Sequence, residues 1–342
     1  MDTNGIFEIL SALCSARGVS GDETDVCICA ADMLRGVADS ISVADGSVTA
    51  HFAGGEGKPK FTLDAHIDQI GFIVTSLEKG GFLRVSPCGG IDDRLLAGLP
   101  VRIYGREVVS GVICSVPPHL VHGDEKVIPA NECRIDTGMS LEKLSRLVSK
   151  GDSVGFYAPP QMLSGTRVTS GALDNRAGAA ALLYALKMLR GRETAFDITA
   201  VFTAQEELGC RGAVTAAYST EAEFALSFDV SFALSPGEDE SACGVLGKGP
   251  MIGFAPVLDR KMSMSLCKLA QEYNIPFQRE IMSGQTSTNA DKFSISRGGI
   301  RTALISVPLR YMHSPAEIID IDDIDASARL LCKFLINGLK EI

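Results

Sequence analysis

Four apolar runs of strand type end on a histidine or an acid, and that placement constrains the fold more than any other feature. Phe61-Thr-Leu leads to His66, Ile198–Thr203 to Glu206 and Glu207, and Phe224–Phe228 to Asp229, while Leu304–Val307 reaches His313 through a short loop. In an α/β sheet, ligands gather outside the carboxyl ends of the strands, so loops at one edge bring distant positions together. A fifth polar segment, Asp174-Asn-Arg176, stands just before a helical stretch. The five segments offer two histidines and three carboxylates of ligand type, with one glutamate to spare. Two divalent ions sharing a bridging carboxylate need such a set, because imidazole nitrogen and carboxylate oxygen suit zinc, cobalt or manganese. The pattern points to a dinuclear metallohydrolase.

The rest of the chain supplies a frame for those strand ends. Helical spacing is expected over Ile6–Ala16 and from Ser20-Gly-Asp-Glu-Thr24 to about Arg35, then a hairpin around Asp45-Gly46 and a strand Lys60–His66. Between about residues 70 and 165 short β-like runs (Gly71–Ser76, Phe82–Val85, Val101–Tyr104, Val108–Val116) alternate with Gly, Pro and Asp turns, and one helix stands at Leu141–Ser149. Regular short strands of this kind suggest a small barrel or sandwich. From Arg167 onward strands and helices alternate again: helix Ala177–Leu189, strand Asp197–Thr203, a short helix after Gly209, strand Phe224–Asp229, helix Arg260–Tyr273, strand Thr302–Val307 and a last helix from Ile324 to Leu339. We therefore expect an α/β fold with a mixed, largely parallel sheet flanked by helices, made of residues 1–69 and 166–342 and interrupted by a β-rich insertion, residues 70–165.

Composition bears mainly on what to exclude. The net charge is −10 with no Lys/Arg cluster, which argues against a nucleic-acid footprint. No apolar stretch approaches the length of a membrane span, and no basic segment followed by an apolar one marks a signal peptide. The ten cysteines are scattered, without a C-x-x-C pair, as expected of small core residues in a reducing compartment, and a cytoplasmic location follows from that. Cys27-Ile-Cys29 lies in a helical segment and is read as core.

Taken singly, the motifs have ordinary readings. His66 and Asp68 stand two residues apart, on one side of an extended chain, so Asp68 is placed to accept the second ring N–H of His66, but a strand-end histidine and a turn aspartate look the same. Asp174 fits an N-cap as well as a bridging carboxylate. Glu206 and Glu207 are sharper: adjacent side chains at a strand end point in different directions, so one can bind a metal while the other faces a water made acidic by it. Asp229 is balanced between a turn residue and a ligand, and His313 before Ser314-Pro315 is by itself a loop histidine. His119 and His122 suggest an exposed loop, His51 a strand surface, and Asp320–Asp325 the cap of the last helix.

In their joint order the segments resemble the tetrahedral aminopeptidases, a glutamyl aminopeptidase-like family of dinuclear metallopeptidases with a zinc-exopeptidase-like fold. The likeness runs through His66-Ile-Asp-Gln-Ile-Gly-Phe72, Ala172-Leu-Asp-Asn-Arg-Ala-Gly178, Gln205-Glu-Glu-Leu-Gly-Cys-Arg-Gly-Ala213, Phe228-Asp-Val230, Gly247-Lys-Gly-Pro250 and Ile305-Ser-Val-Pro-Leu-Arg-Tyr-Met-His-Ser-Pro315, and includes Ile135-Asp-Thr-Gly138 of the insertion. The resemblance implies two divalent metal ions per subunit, Zn2+ or Co2+. His66 and Asp229 would hold one, Glu207 and His313 the other, with Asp174 bridging; Asp68 would support His66, and Glu206 would be general base and acid. It also implies a cis peptide at Asp174-Asn175, short peptides as substrates, an insertion that mediates dimers, and a tetrahedral homododecamer of six dimers. Many relatives have a second aspartate where Asn175 stands, which removes no obvious ligand. Rival readings are a metal-dependent deacylase or amidase, and a non-catalytic assembly subunit. A glycoside hydrolase would leave both histidines unexplained.

Overall fold

The computed structural model describes residues 3–116, 118–120 and 127–339, so His122 lies outside the described residues. Two helices open the chain, α1 (Thr3–Ser15) and α2 (Thr24–Leu34), followed by β1 (Ser40–Ala44), β2 (Ser47–Phe52) and β3 (Lys60–His66). Asp45 and Gly46, both with positive φ, form the two-residue turn between β1 and β2, the geometry that matches strand twist. Next come β4 (Gly71–Leu77), β5 (Phe82–Cys88), β6 (Pro100–Tyr104), β7 (Val108–Ile113), β8 (Arg134–Asp136), the helix α3 (Leu141–Leu147) and β9 (Ser153–Phe156). These six strands close into a barrel in the order β4-β5-β8-β7-β6-β9. Alternation drives it: along β7 every second residue is buried, and Phe72, Val85, Ile103, Ile135 and Val154 meet in a core of their own.

The chain then returns through β10 (Gln161–Met162), β11 (Arg167–Ser170), α4 (Leu173–Leu189), β12 (Asp197–Thr203), α5 (Arg211–Ser219) and β13 (Phe224–Phe232). It finishes with β14 (Met251–Phe254), α6 (Arg260–Glu272), β15 (Gln278–Ile281), α7 (Asn289–Ser294), β16 (Arg301–Leu309), β17 (Glu317–Asp320) and α8 (Ile321–Asn337). Eight strands form one sheet in the order β1-β2-β12-β3-β13-β16-β14-β15. Its centre is parallel, β12 with β3, β3 with β13 and β13 with β16, and antiparallel pairs join β2 to β12 and β14 to β16. The fold is thus the mixed, largely parallel α/β sheet expected, with a closed β-barrel rather than a sandwich in the middle of the chain.

Strands β3 and β13 are buried on both faces, so that polar Thr62, Asp64 and Ser227 are buried along with their apolar neighbours. Helices α1, α4 and α8 cover one face in the main core, and α5 and α7 close a smaller cluster on the other. Among the described residues no helix is long and apolar enough to cross a membrane. Cys27 is buried in α2 and Cys29 half-buried there, and all ten cysteines are free. His51 sits on β2 beside Asp197 at 3.2 Å, His119 is exposed, and Asp320 caps α8 by accepting from the Asp322 amide.

Candidate metal centre

Five of the residues singled out above converge at the carboxyl ends of β3, β12 and β13. His66 closes β3, and its Nε2 lies 3.1 Å from Asp174 Oδ1 and 3.7 Å from Asp229 Oδ1. His313 follows β16, with Nε2 3.1 Å from Asp174 Oδ2 and 3.6 Å from Glu207 Oε1. His66, Asp174 and Asp229 form one trio of donor atoms within 4.8 Å of one another, and Asp174, Glu207 and His313 form a second. Asp174 belongs to both, one oxygen facing each histidine.

Local backbone explains how Asp174 comes to sit between them. The Asp174-Asn175 peptide is cis, and both residues depart from helical geometry although α4 runs on from them. Capping falls instead to Asn175: its Oδ1 accepts from the Gly178 amide at 3.1 Å, while its Nδ2 donates to the Phe228 carbonyl at 2.8 Å. That frees the Asp174 carboxylate from the cap role that the sequence alone allowed it. Next to it, Arg176 is fully buried and donates to the carbonyls of Leu13, Ala16 and Ile67, tying the end of α1 to the loop after β3.

Asp68 stands beside His66, as its place two residues on suggested, and it has a second set of partners. Its Oδ1 is 3.4 Å from His66 Nδ1 without hydrogen-bond alignment, so Nδ1 has no hydrogen-bond partner. Its two oxygens accept instead from the backbone amides of Glu206 at 3.0 Å and Glu207 at 3.2 Å. Asp68 therefore holds the turn that carries both glutamates. Glu206 accepts from the Cys210 thiol at 3.2 Å and lines the same cavity as His66 and Asp229.

Two further groups were not evident from sequence. Glu317, fully buried, accepts from the amides of Asp174 at 3.2 Å and His313 at 3.0 Å, locking the two loops to each other. The Gly90 carbonyl, in the loop after β5, accepts from His313 Nδ1 at 2.9 Å. A carbonyl can only accept, so the proton sits on Nδ1 and a neutral His313 turns a lone pair toward Asp174 and Glu207. Glycine is needed in that loop: Gly89 has φ +86°, and a Cβ there would meet Ile70 at 2.7 Å. The Gly89-Gly90 pair was the available signal for this close approach.

The donor set fits a divalent metal pair. Among the described residues no lysine or arginine ion-pairs with Asp174, Glu207 or Asp229; their ion-pair partners are the two histidines. Burial pushes Glu207 up to about 8, with the Asp174 charge adding to it, and pushes Asp229 up to about 6 against the pull of His66. Burial likewise raises Glu206 to about 7. Burial would depress His66, but Asp174, Asp229 and Asp68 together hold it well above its usual value. Closely spaced, desolvated carboxylates with no lysine or arginine beside them have only the two histidines as counter-charge, and bound cations would supply more. Nitrogen and oxygen donors of this kind suit zinc-like ions.

The cluster lies at the waist between two cavities. One, about 430 Å3, extends over the sheet toward β15. The other, about 160 Å3, lies toward the barrel, with Arg102, Tyr104 and Phe156 in its wall. Asp174, Glu207 and His313 border both.

A sheet with its polar groups gathered at the strand ends, beside a closed barrel, defines the architecture of a metallo-exopeptidase, and known proteins share it throughout. The family described as M42 glutamyl aminopeptidase matches residues 46–330. A lysyl aminopeptidase of Pyrococcus furiosus is 33% identical over 98% of this chain and 97% of its own. An aminopeptidase from the archaeon Desulfurococcus kamchatkensis superposes with a TM-score of 0.93 at 31% identity, covering 100% of this chain and 99% of its own. The TET1 peptidase of Pyrococcus horikoshii, which assembles into a tetrahedron or a large octahedral shell, gives 0.85 at 30% identity over 97% and 99%. The chain belongs to the M42 glutamyl aminopeptidase family. It is accordingly a peptide hydrolase, a metal-dependent aminopeptidase.

Proposed function

We propose that this aminopeptidase works on short peptides with two divalent ions, Zn2+ or Co2+, held by His66 and Asp229 on one side, by Glu207 and His313 on the other, and by Asp174 in common. The observation that carries this reading is the pair of donor trios meeting at Asp174. Bound there, the ions would supply Lewis acidity to the scissile carbonyl and to the attacking water. Asp174, aimed at both histidines, keeps the two halves in register, with Glu317 and the Gly90 carbonyl fixing its loop and the His313 ring. Asp68 presents the two glutamates through their amides. Glu206 is assigned the proton: it takes one from water and returns it to the leaving amine, a role that needs a carboxylate beside the donor trios and outside them.

We assign residues 70–165 as an inserted unit and its barrel as the surface through which dimers form, six of which would build a tetrahedral homododecamer; the shells of the Pyrococcus horikoshii relative support this. Ten free thiols support a cytoplasmic setting. The activity test is a panel of aminoacyl-nitroanilides beside N-acyl amino acids, on protein reconstituted with zinc or cobalt. Aminoacyl substrates should be cleaved, and Glu206→Gln should lower kcat by about 10²–10⁴-fold with metal content unchanged. Cleavage of only the N-acyl substrates would favour a deacylase, and full activity in the glutamine variant would remove Glu206 from its role.

A further inference from the structure

The family name points to glutamyl substrates and the Pyrococcus furiosus relative to lysyl ones, so kinship leaves the preferred side chain open. The larger cavity addresses the question. Its far end holds Glu280, on the edge strand β15, whose carboxylate accepts from the hydroxyls of Ser231 and Ser306, the latter at 2.9 Å. Sheet register places this carboxylate with respect to the metal centre. Ser306 is the Cα partner of Asp229 across the β13–β16 pair, and Ser231 stands two residues beyond Asp229 on the same face. On the intervening strand β14 the partner of Glu280 is Gly253, so no side chain at that position separates Glu280 from Ser306.

Glu280 has hydroxyl partners and no cationic one: among the described residues no lysine, arginine or histidine forms an ion pair with it. Burial raises it above the ordinary carboxylate range, and the two serines only partly offset that. The neighbouring Arg279 also borders this cavity, but it forms no ion pair with Glu280 and its guanidinium lies over the Phe254 ring at 5.5 Å. Beside Ser231 and Ser306, Met251, Met282 and Leu304 give this cavity an apolar strip, and Thr286, Ser287 and Thr288 add hydroxyls to its wall. Two residues along a strand span about 7 Å. A chamber with an apolar strip and an acid that has hydroxyl but no cationic partners matches an ammonium or guanidinium on a flexible aliphatic stem.

We propose that Glu280 sets side-chain specificity, and that this enzyme prefers peptides beginning with a basic residue, lysine or arginine. The inference rests on the aminopeptidase reading for its reaction but not for its binding. A peptide whose first carbonyl lies at the donor trios would extend its first side chain over Met251 toward Glu280, and the charged tip would complete the hydrogen bonding of a carboxylate that the serines serve only as neutral donors.

Lysine and norleucine side chains differ chiefly in the terminal charge, so they make the discriminating pair. On the metal-loaded enzyme, kcat/KM for lysyl-nitroanilide should exceed that for norleucyl-nitroanilide by about 10- to 100-fold, the range of one charge-assisted hydrogen bond, with glutamyl-nitroanilide poorest. Glu280→Gln, which keeps size and hydrogen bonding, should collapse the lysyl/norleucyl ratio toward one. Independently of turnover, calorimetric titration with L-lysine amide and L-norleucine amide should show a lysine preference in the unmodified protein that Glu280→Gln abolishes. If no aminoacyl substrate is cleaved, the aminopeptidase reading fails and the titration alone decides the pocket. Preference for norleucyl or glutamyl substrates, equal binding of the two amides, or a ratio unmoved by Glu280→Gln would each overturn the assignment.

Discussion

On the strands of the barrel the only buried polar side chain among the described residues is Ser153; Phe72, Leu83, Ile103 and Ile135 make up its interior with other aliphatics. Around the end of β3 and within β13 the same chain buries His66, Asp68 and Asp229, and it adds Asp174 from the start of α4 and Glu317 from the start of β17. Both regions are sheet, and both are shielded from water, yet they obey different rules. The barrel is stabilised by packing and by the removal of apolar area from water. The strand ends gather anions whose desolvation costs free energy unless something positive joins them. Packing explains the first region without a ligand, whereas the second makes physical sense as a place to bind one.

If the contrast is sound, the two regions should respond separately to substitution. The largest effect on folding is expected from Ile103→Ala. Its side chain is fully buried in the barrel, and the cavity should cost about 2–5 kcal/mol, measured by denaturant unfolding, while metal bound per chain stays the same. Loss of metal in that variant would show the two regions to be one cooperative site. Asp68→Asn should cost less, about 1–2 kcal/mol, because an amide replaces one of the two oxygens that accept from the Glu206 and Glu207 backbone. It should also slow turnover through misplacement of the glutamates. A variant with unaltered stability and rate would mean that those two hydrogen bonds do not hold the turn.

Periodicity made much of the frame legible. Strands β3 and β12 fall at the bounds their apolar runs predict, and the hairpin at Asp45-Gly46 follows from its turn residues. The barrel, too, was visible as a change of texture, although β8 and β9, three and four residues long, left too few alternations to read. Strands β14, β15 and β17 were missed for related reasons. Each is four residues long, and β15 alternates half-buried and exposed positions at a sheet edge, so Gln278, Arg279 and Glu280 look like loop. Helix α7, six residues after a Thr-Ser-Thr run, was equally hidden.

The site divides the same way. His66, Glu207 and Asp229 were legible because an apolar strand leads directly to each, and strand ends of one sheet share an edge. Asp174 and His313 needed the joint order of all five segments, since alone they look like a cap and a loop residue. What stayed hidden depends on contacts between distant loops. Glu317 matters because it receives two amides from separate segments, Gly90 because the barrel loop touches His313, and Glu280 because two strands bring serines to it. Asp68 was recognised, but its partners are backbone amides more than a hundred positions away, which no local pattern encodes.

The anions at the strand ends can be examined most directly by counting bound metal per chain, by elemental analysis after zinc loading and dialysis. The expectation is two ions for the unaltered protein, close to one for Asp229→Ala, which removes a donor from a single trio, and none for Asp174→Ala, which removes the donor both trios share. A count of zero in the unaltered protein, or an Asp174→Ala variant that still retains two ions, would contradict the account.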